Sequence, residues 1–489
     1  YKRQGSMTPE IRRVANVILL MFLSLFIAAS AMQVVNADAL NNDSRNQRPV
    51  FDGYKTQRGS ILVDNKPIAE SVPSNNAYHF LRKYSGNQYS AITGFYSLYQ
   101  GRTGLENYLD SSLRGDNSGQ FFEQLNALFS GNPVTGASVE LSIDEKVQKV
   151  AWDALGDNKG AVIAMDPTTG RIIALVSKPG FDANLLSTHN TGDASANYKK
   201  LLTRNDAPLI NRAIGGDLYA PGSVFKLVVA SAAIESGKYT AQSKLPNPRT
   251  FTLPGTKTTI TNSGESRCGG AKEVSIATAL KLSCNIPFAE LGIAIGQDAI
   301  AAQAKKFGFG ESVAIPMKST ASVYPEGMDA AQTGLSSFGQ FDVRVSPLQM
   351  LMVSAAIANG GSEMQPYLVD QIFTSNLTLL QETKPTEIRR SISTSTSEAL
   401  KNMMVMAVSS GVSSNASIPG VVVAGKTGTA ENGVGEPYTL WFTGFAPAKN
   451  PQVAIAVVVE NGGGYGQGGR GNSVAAPIAK KVMQAVLNK

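Results

Sequence analysis

Apolar and polar positions divide the chain into an uncharged N-terminal run, a polar irregular stretch and a long patterned remainder. Val14–Ala37 is a run of 24 residues without a charge, VANVILLMFLSLFIAASAMQVVNA. At about 1.5 Å of rise per residue, a helix of that length crosses the roughly 30 Å hydrocarbon core of a bilayer. Lys2, Arg3, Arg12 and Arg13 precede the run, and Asp38 and Asp43 follow it. The positive-inside bias then puts residues 1–13 in the cytoplasm and everything after the run outside. A cleaved signal peptide is the alternative, because Ala29-Ser30-Ala31 has the small-x-small form of a cleavage site. The length of the run favours an anchor over residues 14–37, and either reading exports the bulk of the chain. YKRQGS, residues 1–6, reads as an appended leader ahead of Met7 and is left out of the fold reasoning.

Residues 38–137 are polar and irregular, with a short strand pattern at Gly59–Val63 and a helical one near Ala91–Tyr99. Gly104–Gly115 sets Leu105, Tyr108, Leu109 and Leu113 at helical spacing before a glycine stop. This predicts a small α+β module. From Val139 onward, residues 138–489 read as one larger domain. Ser142 to Glu145 forms an S-x-x-E signal, and Asp144 is placed to cap a helix through Leu155. Gly160–Ser177 holds two apolar runs around the turn Asp166-Pro167-Thr168-Thr169-Gly170, a β-hairpin with buried strands. Further apolar runs lie at Val421–Ala424, Thr439–Phe445 and Val453–Glu460, before an amphipathic helix at Val474–Leu487. Helical periodicity fills the region between, as at Val224–Ser236, Ser275–Leu282 and Leu348–Asn359. Two strands, a helical insertion, three strands and a closing helix describe an α/β sandwich around one mostly antiparallel sheet.

Composition narrows the function classes. Apolar residues at 43% and charged residues at 17% are ordinary for a globular protein and exclude a disordered or collagen-like chain. The net charge of +7 over 489 residues suits an anionic surface such as lipid or cell-wall polymer. No block of Lys and Arg forms a nucleic-acid footprint. Two cysteines and two histidines are too few for a zinc finger or a multi-cysteine cluster, so no metal and no cofactor is expected. Outside the cytosol, Cys268 and Cys284 more often pair than stay free, closing a loop worth roughly 3 kcal/mol; two buried thiols are the alternative. His79 and His189 sit in polar surroundings away from the motifs below and are given no catalytic part. Gly462–Gly471, GGGYGQGGRG, reads as a flexible loop bordering a cleft rather than a nucleotide site.

S-x-x-K occurs once, as Ser223-Val224-Phe225-Lys226, between the Pro221-Gly222 turn and the apolar run LVVASAAIES. That places Ser223 at a helix start with Lys226 one turn later on the same face. A serine hydroxyl is a poor nucleophile near neutral pH, and a partly desolvated lysine can take its proton. Backbone N–H groups at a helix start stabilise charge developing on an attacked carbonyl. Lys-Thr-Gly also occurs once, as Lys426-Thr427-Gly428 with Thr429 next, at the end of the run Val421–Gly425 and so on a strand. Two hydroxyls and an ammonium suit a carboxylate, and Gly428 there lets a substrate backbone approach the sheet edge. In isolation each motif is also compatible with a surface pair or a strand end. Ser-x-Asn is weaker still, since six copies occur besides Ser283-Cys284-Asn285. Order along the chain selects this one, between the other two motifs and after the helical run Ser275–Leu282.

S-x-x-K, S-x-N and K-T-G in this order resemble the signature of serine β-lactamases and penicillin-binding proteins. The likeness extends to NRAIGGDLYAPGSVFKL, DPTTGRIIALVSKPGFD, FGQFDVRVSPLQMLMVSAAIANGG and WFTGFAP, and to RGSIL at Arg58–Leu62 and GLENYLD at Gly104–Asp110. Along nearly its full length the chain resembles a class B penicillin-binding protein, most like the actinobacterial penicillin-binding protein A group. The resemblance implies a transpeptidase fold, a five-stranded antiparallel sheet between helices, on a small N-terminal pedestal of the dimerisation type. It implies a D,D-transpeptidase that cross-links peptidoglycan stem peptides and is acylated by β-lactams, in division or elongation. Ser223 would be the nucleophile, Lys226 its base, Ser283 a proton relay and Asn285 the holder of the peptide amide. Lys426 would tune the field, Thr427 and Thr429 would bind the terminal carboxylate, and the N–H groups of Ser223 and Thr429 would form the oxyanion hole. Class B proteins also imply a SEDS-family glycosyltransferase as partner.

Three rivals differ from this in kind. A class A β-lactamase needs a glutamate in an E-x-x-L-N loop, and no such pattern lies between Asn285 and Lys426. A DD-carboxypeptidase would pass the acyl group to water instead of an amine. A scaffold without catalysis is at odds with the intact Ser223, Lys226 and Lys426.

Overall fold

The computed structural model describes residues 8–41, 56–76, 78–116, 120, 129, 135–216 and 218–488. Lys2, Arg3, Asp43, the leader 1–6 and parts of the expected pedestal lie outside the described residues. The first helix, α1 (Thr8–Ser30), runs on through a π turn at Ala31–Val35. Together they are long and apolar enough to cross a membrane. Apolar side chains are exposed all round it, Leu19, Phe22 and Phe26 among them. That is the surface of an element whose solvent is lipid rather than one packed on a core.

The larger domain is built on a five-stranded sheet with the spatial order β9 (Ala424–Ala430), β10 (Thr439–Ala446), β11 (Val453–Val459), β5 (Gly160–Met165), β6 (Ile172–Lys178). Every neighbouring pair is antiparallel. The three central strands are buried throughout, because helices cover both faces. One face packs α2 (Glu145–Leu155) and α8 (Ala475–Leu487) in a core of Val147, Leu155, Ile455, Val457 and Met483. The other packs α6 (Pro347–Ala358), α3 (Lys226–Glu235) and the helices between them. Burying apolar faces on both sides of one sheet is what lets near-continuous runs such as VAIAVVV form strands.

Local expectations hold with some shifts. Asp144 caps α2 alone, accepting the Val147 N–H at 2.8 Å, while the Ser142 hydroxyl turns away to the Ile172 carbonyl. The helical stretch near Ala91–Tyr99 is corrected: only Ser90–Thr93 is helical, and Tyr96-Ser97 pairs with Gly101-Arg102 as a small hairpin. Gly94, at φ +64°, ends that helix, and its missing Cβ would lie 2.2 Å from the Thr103 carbonyl. The expected strand at Val421–Ala424 is also displaced. Val422 is exposed, and the strand begins at Ala424, so K-T-G lies in its middle and not at its end.

A second sheet has six strands in the order β8 (Leu379–Glu382), β7 (Val369–Phe373), β4 (Ser138–Leu141), β1 (Ile61–Val63), β2 (Lys66–Pro73), β3 (Phe80–Tyr84). It joins strands from before residue 138 to a hairpin more than two hundred residues later. Beneath β1–β3, Arg58, Arg82, Glu106 and Asp110 form a buried ion cluster. Glu106 takes Arg58 and Arg82, each at 2.6 Å, and Asp110 takes Arg58 at 2.6 Å.

Candidate active site

Ser223 lies in a 3₁₀ turn, Gly222–Phe225, that feeds directly into α3 at Lys226. With three residues per turn, positions i and i+3 stand one above the other, so the serine and lysine side chains share a face. Three contacts fix the turn. The Trp441 indole N–H on β10 donates to the Ala220 carbonyl at 3.0 Å, the Tyr219 ring packs edge-on against Trp441, and the Gly222 N–H donates to the Gly339 carbonyl at 2.9 Å. Gly428 on β9 belongs to the same packing. A Cβ there would stand 2.8 Å from the Pro221 carbonyl, so this glycine admits the Ser223 turn, where the sequence suggested an approaching substrate.

Two ammonium-bearing side chains meet on Ser283. Lys226 Nζ donates to the Ser283 carbonyl at 2.8 Å and to Asn285 Oδ1 at 2.8 Å, and its distance to Ser283 Oγ is 3.5 Å. Lys426 Nζ donates to Ser283 Oγ at 2.8 Å and to the Thr427 carbonyl at 2.7 Å. Both lysines are fully buried, and no carboxylate among the described residues neutralises either amine. Burial, then the like charge of Lys426, holds the Lys226 amine well below the usual lysine range. Burial alone pulls Lys426 down to about 7. A neutral amine on Lys226 is a base, and Ser283 is the only hydroxyl in the described site that touches both lysines.

Ser283 is held at φ +59°, a conformation that a residue with a Cβ adopts at a cost of order 1–3 kcal/mol. Its neighbour Cys284 is joined to Cys268 by a disulfide. On β9, Thr427 is fixed by Ser413, whose Oγ accepts the Thr427 N–H at 3.1 Å and pairs with its hydroxyl at 3.2 Å. Thr429 is the half-buried member of the pair, and its Oγ1 accepts the Gly471 N–H at 3.3 Å. The glycine-rich stretch therefore returns across β9 beside the lysines, as a cleft border.

All the residues singled out from sequence thus come together: Ser223, Lys226, Ser283, Asn285, Lys426, Thr427, Gly428 and Thr429, with the Cys268–Cys284 bridge behind them. His79 and His189 do not. The His189 ring lies between Asn76 and the Phe80 carbonyl in the N-terminal part. No group of histidine, cysteine and carboxylate side chains among the described residues is arranged to hold a metal ion.

A family model for the penicillin-binding protein transpeptidase domain matches residues 160–484. A peptidoglycan D,D-transpeptidase of Mycolicibacterium smegmatis, PbpA, is 38% identical over 99% of this chain and 100% of its own length. The chain belongs to the penicillin-binding protein transpeptidase family. A second model, the penicillin-binding protein A dimerisation domain, matches residues 58–139. The crystal structure of penicillin-binding protein A from Mycobacterium tuberculosis in a ceftriaxone acyl-enzyme complex superposes with a TM-score of 0.86 at 37% identity, covering 89% of this chain and 100% of that one. A D,D-transpeptidase domain from Eggerthella lenta superposes with a TM-score of 0.77 at 29% identity, over 89% of this chain and 99% of that one.

Several residues that shape this site carry no motif. Tyr219 and Trp441 seat the nucleophile turn, Ser413 seats Thr427, and Glu460 accepts from Tyr219 Oη at 2.7 Å and Arg212 at 2.9 Å. Their partners lie 14 to 248 residues away in the chain, so spacing alone holds no trace of them.

Proposed function

We propose that the protein is a peptidoglycan D,D-transpeptidase acting through an acyl-enzyme on Ser223. Lys226, uncharged in its buried position, takes the Ser223 proton as Oγ bonds to the carbonyl carbon of the penultimate D-Ala. The N–H groups of Ser223 and Thr429 receive the oxyanion. As the C–N bond breaks, Ser283 passes a proton to the departing D-Ala amine, drawing on the two lysine amines that contact it. Asn285 orients the stem-peptide amide, and the Thr427 and Thr429 hydroxyls hold the terminal carboxylate. The amine of a second stem peptide then attacks the ester, its proton moves to Lys226, and Ser223 leaves with its hydroxyl restored. A β-lactam follows the first half only, its ring amide opening onto Ser223.

The observation that carries this reading is the pairing of Lys226 and Lys426 on Ser283 without a counter-ion. A structural ion cluster would not be built from two like charges. The helix at Ile11–Val35 supports a membrane location, and the basic residues before it and acidic ones after it favour a cytoplasmic N-terminus with residues 38–489 outside, where the stem peptides are. Residues 38–137 serve as pedestal and residues 138–489 as the transpeptidase domain. A SEDS-family glycosyltransferase, which makes the glycan strands, is the partner this arrangement suits. The test is labelling with a fluorescent penicillin: wild type takes the label and a mass increment on the peptide spanning residues 213–238, and Ser223→Ala takes neither. Label-free wild type, or label on another peptide, overturns the proposal.

A further inference from the structure

The segment Ser283-Cys284-Asn285 cannot hold its own shape. Ser283 is strained, and the helix that begins at Asn285 (α5, Asn285–Ile295) receives no side-chain cap from its own N-cap residue, Cys284. Its first amides need acceptors from elsewhere. One residue from the preceding excursion of the chain supplies them. Asn262 Oδ1 accepts the N–H groups of both Asn285, at 2.9 Å, and Ile286, at 3.0 Å.

Asn262 is itself buried and fully engaged. Its Nδ2 donates to Asn247 Oδ1 at 3.2 Å and to the Ser266 carbonyl at 3.3 Å. Asn247, also buried, accepts the Cys268 N–H at 3.2 Å and donates to the carbonyls of Cys268 and Ala271, each at 2.8 Å. Cys268 then closes the circuit through its disulfide to Cys284. Two tethers, one an amide cap and one covalent, thus run from a single anchor to Cys284 and Asn285, the two residues that follow the strained Ser283. The excursion is pinned at its base by pairing of Lys244–Pro246 with Glu273–Ser275, so the anchor has a fixed origin.

We propose that Asn262 is a positioning residue for acylation: by capping the helix at Asn285 in parallel with the Cys268–Cys284 bridge, it holds Ser283 and Asn285 against Lys226 and Lys426. It touches no reacting atom. The proposal rests on the acyl-enzyme reading and deepens it.

The test follows acylation of the full chain in detergent by a fluorescent penicillin, separating non-covalent affinity from the limiting acylation rate. Small displacements of reacting groups cost up to about a hundredfold, and Asn262→Ala is expected to lower the limiting rate about tenfold with affinity within about twofold. Removing the bridge with Cys268→Ser and Cys284→Ser costs about threefold; because each tether backs up the other, combining the changes costs more than the product, a coupling neighbours show. Ser142→Ala, which removes a buried hydrogen bond to Ile172 on β6, the edge of the five-stranded sheet opposite β9, lowers the melting temperature and leaves the rate alone. If Asn262→Ala yields no folded protein, Asn262→Ser is read in its place, its hydroxyl falling short of both amides.

The positioning role is overturned if wild type labels and the truncated variant labels equally fast, if the loss lies in affinity alone, or if Ser142→Ala shows the same loss of rate. Failure of wild type to label at Ser223 overturns the acyl-enzyme reading instead.

Discussion

Two groups of charge are buried in this protein, and the fold treats them in opposite ways. In the N-terminal module, Arg58 and Arg82 meet Glu106 and Asp110 at distances of 2.6 Å. Burial pushes the Glu106 carboxyl up, but Arg82 and Arg58 outweigh it and hold the group below the usual carboxylate range. Arg58 goes the other way, raised by Glu106 and Asp110 against its own burial. Glu106 and Arg58 are both held in their charged forms. In the site, Lys226 and Lys426 are buried as completely but face hydroxyls, carbonyls and each other, and both are driven toward neutrality. Opposite charges at contact stabilise ions in a low-dielectric interior, whereas burial without a counter-charge, aided at Lys226 by the like charge of Lys426, disfavours them. The first arrangement fixes a module in place, and the second makes a base.

This difference is broken most severely at Lys226. Lys226→Met removes the base and is expected to slow acylation by about 10² to 10⁴, the usual contribution of general acid–base catalysis. Stopped-flow labelling with penicillin reads the rate. The protein still folds, because methionine replaces an amine whose burial was already unfavourable. Glu106→Gln has the reverse profile. It leaves Arg58 and Arg82 short of a counter-charge inside the module, a loss of about 3–5 kcal/mol. Thermal unfolding followed at the module shows a lowered transition, while the folded fraction acylates at the wild-type rate. Equal effects of the two substitutions on rate and on stability would show that the two clusters do the same work.

The pattern of legible and hidden residues follows the same division. The strands of the five-stranded sheet and α3 were readable because apolar runs buried on both sides leave a strong signal, and Ser223–Lys226 and Lys426–Gly428 were readable because each motif occurs once. The strand at K-T-G was read a few residues early. Valines at 421–423 have the higher β-propensity, but packing of Gly428 beneath Pro221 and of Thr427 on Ser413 decides where pairing occurs. Residues 369–373 and 379–382 gave no hint that they extend a sheet begun at residue 61, since pairing with residues 138–141 from more than two hundred residues away is a property of tertiary structure. Asn262 and Ser413 stayed hidden for a simpler reason: a buried polar side chain that caps a distant backbone has no periodicity at all.

A milder perturbation separates binding from chemistry within the site. Ser413→Ala leaves the buried Thr427 N–H without its acceptor, a penalty of about 1–3 kcal/mol. In its proposed role Thr427 holds the carboxylate end of the ligand and takes no part in the chemistry at Ser223, so the expected loss is in non-covalent penicillin affinity, with the limiting acylation rate kept. Asn262→Ala is expected to do the opposite. Progress curves at several penicillin concentrations distinguish the two, and a rate loss in Ser413→Ala would place Thr427 nearer the chemistry than proposed.

The smallest effect is on pH dependence, and its sign follows from the like charge of Lys426 acting on Lys226. In wild type, acylation falls as acid returns the proton to Lys226. A charged Lys426 opposes that return, so Lys426→Met lets Lys226 hold its proton to higher pH. The acid limb of the rate profile is expected to move upward, making the variant's loss at pH 6 larger than its loss at pH 8. Stability carries a second signature of the same residue. Lys426 titrates at about 7 when folded, against an ordinary lysine value of 10.5. Between those values the unfolded chain binds the extra proton, so wild-type stability rises with pH across that window and the penalty is complete below it. Lys426→Met removes this slope. An acid limb that stays put or moves downward would mean that the two amines do not sense each other; a stability slope unchanged in the variant would mean that burial does not shift Lys426, and the contrast with the Glu106 cluster would lose its electrostatic basis.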